Sequence, residues 1–203
     1  MPDAKKNRGA DRRKADPTEE AERQRRHRES RGEKMVPLSD LANELPGDDD
    51  LTKYTEYLIE ESDRGAAVMA TALVEKALED AIRARLADPG DGMQDTWFKG
   101  INAPFRTFAS KISLGRALGI YGEETEARLT IIKKIRNAFA HRMIPLDFSH
   151  PTLVAACLEL SPYPEKNQFG ARVLFGTSCL LTAHLLGGDA MEKNRREIEV
   201  TFP

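Results

Sequence analysis

The first 35 residues contain no Val, Ile, Leu, Phe, Trp or Tyr. A segment of that kind cannot bury enough apolar surface to offset the entropy of ordering it. This predicts a disordered charged tail over 1–36, with at most a transient helix across Thr18–Arg31. Elsewhere no apolar run approaches the roughly 20 residues that a membrane-spanning helix needs. The N-terminus has charges but no apolar h-region, which excludes a secretory signal. Only two cysteines occur, Cys157 and Cys179, at no metal-ligand or redox spacing. Both stand in apolar company, which predicts buried, reduced thiols in a cytoplasmic protein. No stretch combines period-2 alternation with β-branched runs, and there is no internal repeat, Walker loop, Rossmann glycine pattern, zinc-ligand spacing or Ser-His-Asp order. No cofactor and no metal are therefore expected.

What the chain does have is charge and helical periodicity. Its formal net charge of −2 hides an asymmetry: residues 1–34 hold 12 Lys/Arg against 8 Asp/Glu, so a basic tail precedes an acidic body. The tail can be read as an arm touching nucleic-acid phosphates or as a solvated, charge-mixed segment.

Leu38, Leu41 and Leu45 outline a short helix that Pro46-Gly47 ends. Asp48, Asp49 and Asp50 then suit the start of a helix from Leu51 to about Ser62. From Asp63 to about Ala87 runs the longest predicted helix. Ala66, Ala70, Leu73, Ala77, Ala81 and Ala84 form a mostly small-residue stripe on it, which places it centrally in a bundle. Residues 93–103 read as a loop anchored by Trp97 and Phe98. Pro104 suits the first turn of the next helix, with Phe105, Phe108 and Ile112 on one side and an end near Leu118-Gly119.

A further helix opens at Gly122-Glu123-Glu124 and stops before Pro145. A loop with Pro151, Pro162 and Pro164 follows. The last helix spans about Gln168 to Leu186 and closes at Gly187-Gly188, with Phe169, Val173, Leu174, Leu180, Leu181 and Leu185 facing the core. The fold class is thus all-α, a bundle of four to five main helices. The domain plan is a tail over 1–36, a helical domain over 37–187 and a loosely held tail over 188–203.

The chemistry concentrates in Arg136-Asn137-Ala138-Phe139-Ala140-His141. Asn137 and His141 are i, i+4 and share a face, while Phe139 continues the core line Ile131-Ile135-Phe139. Arg136 and His141 lie about 140° apart around an ideal helix, so one helix does not aim both at one small ligand. Two copies facing across a two-fold axis can, which ties catalysis to a dimer. Histidine titrates near neutrality and can accept the proton of an RNA 2′-hydroxyl. Arginine can hold a phosphate and stabilise charge developing on it. Asn137 can orient the imidazole or bind phosphate. The structural alternative is a cationic helix end, worth about 0.3–1 kcal/mol through the helix dipole alone. Glu75, on the long helix, is a candidate acid behind the motif, or one half of a surface ion pair. Of the other histidines, His27 lies in the tail, His150 in a loop, and His184 late in the last helix in a core or cap role.

Three stretches together resemble the mannitol-repressor family and the wider HEPN superfamily of helical bundles, over about residues 50–186. They are Ser62-Asp63-Arg64-Gly65-Ala66-Ala67 with Ala72-Leu73-Val74-Glu75-Lys76-Ala77-Leu78-Glu79; Ala103-Pro104-Phe105-Arg106-Thr107-Phe108-Ala109-Ser110-Lys111-Ile112 leading into Ala117-Leu118-Gly119; and Ile135 through His141. The resemblance implies a HEPN-like bundle, and it divides on function. Many HEPN proteins are metal-independent endoribonucleases with Arg, a polar residue and His at a dimer interface, which would make Arg136, Asn137 and His141 catalytic. Mannitol-repressor-like proteins are instead regulators thought to act through partners. Where the family pattern implies an acid in the loop after the motif, this chain has His150, in Asp147-Phe148-Ser149-His150-Pro151. A second base or a helix cap can explain it, and the cap is the simpler reading. The expectation is a cytoplasmic, homodimeric regulator binding RNA or a regulatory protein, with the ribonuclease as the alternative.

Overall fold

Helix α2, Asp63–Arg85, is the axis of the molecule. A computed structural model of the chain describes residues 48–87, 90, 92–161 and 168–193, all within one compact unit, Leu45–Pro203. The predicted tail over 1–36, the predicted helix over 38–45 and the last ten residues lie outside the described residues. Around α2 stand α1 (Asp48–Glu60), α3 (Met93–Phe98), α4 (Phe108–Ala117), α5 (Glu123–His141), α6 (Pro151–Leu160) and α7 (Ala171–Lys193). Among the described residues there is no strand, so the all-α expectation holds.

The start of α2 is fixed by Ser62, whose hydroxyl accepts from the Gly65 amide at 3.1 Å. Ala66, Ala70, Ala77 and Ala81 are buried along it. By helix geometry they lie roughly opposite Glu75 and Glu79. Helix α7 makes the most extensive contact with α2, while α4 and α5 also pack on it. Since α4 and α5 bring cations to Glu75 and Glu79, the alanine side is left for α7. The core is closed by Val74, Leu78, Ile82, Leu129, Ile132, Phe139, Leu174 and Phe175.

Several sequence expectations need correcting. The segment expected as a loop over 93–103 begins with helix α3, entered from Gly92 at φ 68°. Trp97 and Phe98 still anchor it: Phe98 is buried, its ring 5.9 Å from Phe105. Helix α4 starts at Phe108 rather than at Pro104, because Thr107 and Ser110 form a reciprocal capping box that satisfies the first free amides. Pro151 does not belong to a loop. It occupies the first turn of α6, where a missing N–H costs nothing. Leu153, Cys157 and Leu160 form the buried stripe of that helix.

Helix α7 does not close at Gly187-Gly188 as expected but passes through both to Lys193. Glycine weakens a helix by about 1 kcal/mol relative to alanine but does not forbid it. The inward stripe of α7 is Leu174, Phe175, Ser178, Cys179, Thr182, Ala183 and Leu186. Phe169, Val173, Leu181 and Leu185, expected in the core, are exposed, and Leu180 is partly buried. Small hydroxyl residues take the inner places because their protons have carbonyl partners: Ser178 donates to Leu160 O at 2.6 Å and Thr182 to Ser178 O at 2.7 Å. His184 is exposed and serves neither core nor cap.

Both cysteines are buried and free. Burial pushes the Cys157 thiol up to about 12 and the Cys179 thiol well above its ordinary value, so neither is a ready nucleophile.

Candidate functional site

Helix α5, Glu123–His141, runs into an exposed tip, and its sequence sets both of its ends. Glu123, Glu124 and Glu126 fill its first turn and His141 its last, each at the dipole end that favours it. Ile132, Ile135 and Phe139 bury one side. That placement leaves Arg136 and Asn137 half-buried and His141 exposed.

Arg136 turns towards α2. Its guanidinium stands 3.7 Å from Glu75 Oε2, beyond hydrogen-bond length but within ion-pair reach. Glu75 is shared. Its other oxygen accepts from Lys111 Nζ at 2.9 Å, and the same ammonium reaches Glu79 Oε2 at 2.9 Å. Glu79 in turn holds Arg83 at 2.8 Å, and Arg83 reaches Asp95 at 3.0 Å while its guanidinium lies 4.3 Å over the Phe98 ring. Arg136 is thus the end of an alternating chain of charges that runs along one face of α2. Lys111 is its centre, with a side chain only 7% exposed. Burial alone would raise the Glu79 carboxyl; Lys111, with Arg83, outweighs burial and holds it below its ordinary value. Lys99, by hydrogen bond first, lowers the Asp95 carboxyl as well.

The side chains of His141 and Asn137 make no hydrogen bond among the described residues, and neither is bonded to the charged chain. The i, i+4 pair therefore stands apart from Arg136. The structure does not bring Arg136 and His141 together within one subunit.

The segment after His141 is pinned at both ends by the start of α2. Arg64 donates to the Arg142 carbonyl at 2.8 Å. The Asp63 carboxylate accepts the Phe148 amide at 2.8 Å and pairs with Arg172 at 2.8 Å. Arg172 also donates to the carbonyls of Leu58, Ile59 and Glu61, which closes the end of α1 onto α7. The Phe148 ring is buried between Phe139 at 4.8 Å and Phe175 at 5.5 Å. Between those pins Met143 and Ile144 project outward, 98% and 65% exposed. Ser62, Asp63, Arg64, Met143, Pro145 and Leu146 line an open depression of about 520 Å³ there.

His150 is the N-cap of α6, and its Nδ1 accepts the Thr152 amide at 3.3 Å. The cap reading holds, and a nitrogen used as an acceptor in this way is not the free base of a second catalytic pair. Asp147 forms a tight local turn: the Ser149 hydroxyl first, then its backbone N–H, lower the Asp147 carboxyl.

The sequence singles out Arg136, Asn137, His141 and Glu75 as candidates. Lys111, Asp63, Arg64 and Arg172 escape that reading. A signal existed for Lys111. It sits three residues after Phe108 on the buried face of α4, and Glu75 and Glu79, spaced i, i+4, offer two carboxylates to one ammonium. Among the described residues no group of His, Cys, Asp and Glu has the arrangement of a metal site, and no helix is long and apolar enough to cross a membrane. No protein-family model, no curated protein and no solved structure matches the chain.

Proposed function

We propose that this chain is a regulator of the mannitol-repressor type, with a HEPN-like bundle, that works as a homodimer by binding a regulatory protein or RNA. The observation that carries this reading is the tip His141-Arg142-Met143-Ile144. It is cationic and apolar at once, it is exposed, and it is held rigidly by Arg64 and Asp63 rather than left to wander. A pinned apolar tip beside an open depression is a surface built to be covered, since the entropy of ordering it is spent before binding. The test is cross-linking of the full chain in its own cells, comparing wild type with Met143→Glu/Ile144→Glu. One defined partner, cross-linked at the tip and lost in the variant at unchanged thermal stability, is the expected result. Equal recovery by both sinks the reading.

A second reading is favoured by one observation. The His141 side chain is solvent-open with no hydrogen bond among the described residues, and Arg136 is held at ion-pair distance. In a metal-independent endoribonuclease, His141 takes the 2′-hydroxyl proton, the 2′-oxygen attacks phosphorus, the P–O5′ bond breaks and the imidazolium returns the proton to the leaving 5′-oxygen. Arg136 stabilises charge on the phosphate meanwhile, and Asn137 helps to bind it. The product is a 2′,3′-cyclic phosphate. Because Arg136 and His141 point apart on one helix, the reaction site needs a second copy across a two-fold axis. Purified wild type and His141→Ala are compared on structured and single-stranded RNA. Cyclic-phosphate ends made by wild type alone support the enzyme; equal cleavage by both removes it.

A further inference from the structure

Helix α5 has a second groove, toward its opposite end from His141. It runs between the α4–α5 turn, the first half of α5 and the outer side of α7. It encloses about 310 Å³, lined by Ile120, Tyr121, Arg128, Leu181, Leu185 and Leu186 among others. Leu181 and Leu185 are 45% and 71% exposed, so two leucines spend apolar surface on water along its wall.

Three hydroxyls of this groove are committed, while that of Thr125 makes no hydrogen bond among the described residues. The Tyr121 hydroxyl donates to Ile112 O at 2.7 Å. Burial raises the Tyr121 phenol, so it stays a donor and does not become an anion. Ser178 and Thr182 give their protons to carbonyls. Arg128 differs. One Nη donates to Leu160 O at 2.6 Å, which caps the end of α6. Among the described residues no carboxylate pairs with it, neither Glu124 one turn earlier on α5 nor Glu159 beside that carbonyl. A guanidinium carries five N–H donors in a fork that fits a carboxylate bidentately. Arg128 is half-buried and answered only by a neutral carbonyl.

We propose that this groove binds a small amphiphilic monocarboxylate, with its carboxylate on Arg128 and its acyl or aryl body against Ile120, Leu181, Leu185 and Leu186. One cation matches one negative charge, and the Thr125 hydroxyl adds a single neutral donor; a phosphate dianion would ask for the further donors that Tyr121, Ser178 and Thr182 have already given to carbonyls. The volume lies at the lower end of ligand cavities, about 300–1,000 Å³, which fits a short chain rather than a large cofactor. The site is independent of the tip around His141.

Octanoate is the probe, and octanamide is its uncharged counterpart. The full chain is titrated with each at neutral pH while the methyl resonances of Ile120, Leu181 and Leu185 are followed. Saturable shifts confined to those methyls are expected, with octanoate binding roughly tenfold tighter than octanamide, as one charge-assisted contact provides. Arg128→Gln keeps a donor for Leu160 O and should erase that difference. Leu185→Glu, at an exposed position, should weaken octanoate at least tenfold without changing thermal stability. Equal affinity for the two probes overturns the proposal, as do octanoate shifts centred on Met143 and Ile144. Should Arg128→Gln not fold, the probe pair on wild type and Leu185→Glu decide alone.

Discussion

Helix α2 makes two seams of opposite character. Along one face, alanines let a neighbouring helix come close, and no charge is paired across it; the buried hydroxyls of Ser178 and Thr182 on that neighbour are satisfied by carbonyls. Along the other, Glu75 and Glu79 meet Lys111, Arg83 and Arg136 in a chain of shared charges. The dry seam is specified by volume and the charged seam by pairing. The first tolerates no added atoms; the second tolerates no removed partner. The functional consequence lies in the second: the same carboxylate that helps seat α4 also holds the motif arginine on α5, so fold and candidate site share a residue.

The dry seam should break hardest. Ala70 is 1% exposed and Ala81 0%, so Ala70→Leu or Ala81→Leu forces an isobutyl group where no space exists. Each should destabilise by about 3 kcal/mol, the upper part of the range for overpacking a core. Urea unfolding measures it. A cost within 0.5 kcal/mol at both positions would mean that the alanine face is not a close helix contact.

On the charged seam, Lys111→Met leaves two carboxylates near each other without their shared cation. Breaking a largely buried pair costs about 3 kcal/mol, reduced here because Arg83 still serves Glu79 and Arg136 still serves Glu75. An effect near 2 kcal/mol is expected at neutral pH. Its pH dependence has a definite sign. The Glu79 carboxyl lies below its ordinary value of 4.5 in the folded chain. Its pairing therefore contributes in full above about pH 4.5 and is lost as pH falls through the lower folded value. The gap between wild type and Lys111→Met should narrow from pH 5 to pH 3. A gap of constant size would assign the loss to packing of the lysine stem instead.

A third substitution tests the pins that hold the tip. Asp63→Ala removes the acceptor of the Phe148 amide and the partner of Arg172 at once. A loss of about 1–2 kcal/mol is expected. Amide hydrogen exchange should also quicken at Phe148, while the Glu75–Lys111 side stays protected.

How much of this was legible follows from what each feature depends on. The α2 stripe, the α5 core line and the acids at the start of α5 are periodic, and periodicity survives in a sequence without any partner. Pro151 and Gly187-Gly188 misled because both residues have permitted places inside a helix, at its first turn and at a modest cost in its body. Leu181 and Leu185 misled for a deeper reason: α7 is apolar on more than one side, and its inward face carries Ser178, whose hydroxyl reaches Leu160 O on α6, a partner that no hydropathy pattern records. Lys111 was invisible as a site residue because its meaning comes from acids 32 and 36 positions earlier. Arg136 stands out in the sequence as a motif residue, but its direction towards Glu75 depends on how α2 and α5 pack.

The smallest stability effect should fall where the functional reading predicts the largest loss. The His141 side chain is exposed, ends its helix and has no hydrogen bond among the described residues. Its structural contribution is confined to the helix C-terminus, where a side chain of this kind is worth at most about 0.3–1 kcal/mol. His141→Ala should therefore unfold within about 0.5 kcal/mol of wild type at neutral pH. Arg136→Ala should cost more, since it releases one side of Glu75. If His141→Ala matches wild type in stability yet loses partner binding or RNA cleavage, the residue is held for its chemistry. If it unfolds the chain, His141 belongs with the charged seam after all, and the contrast between a paired Arg136 and an open His141 is lost.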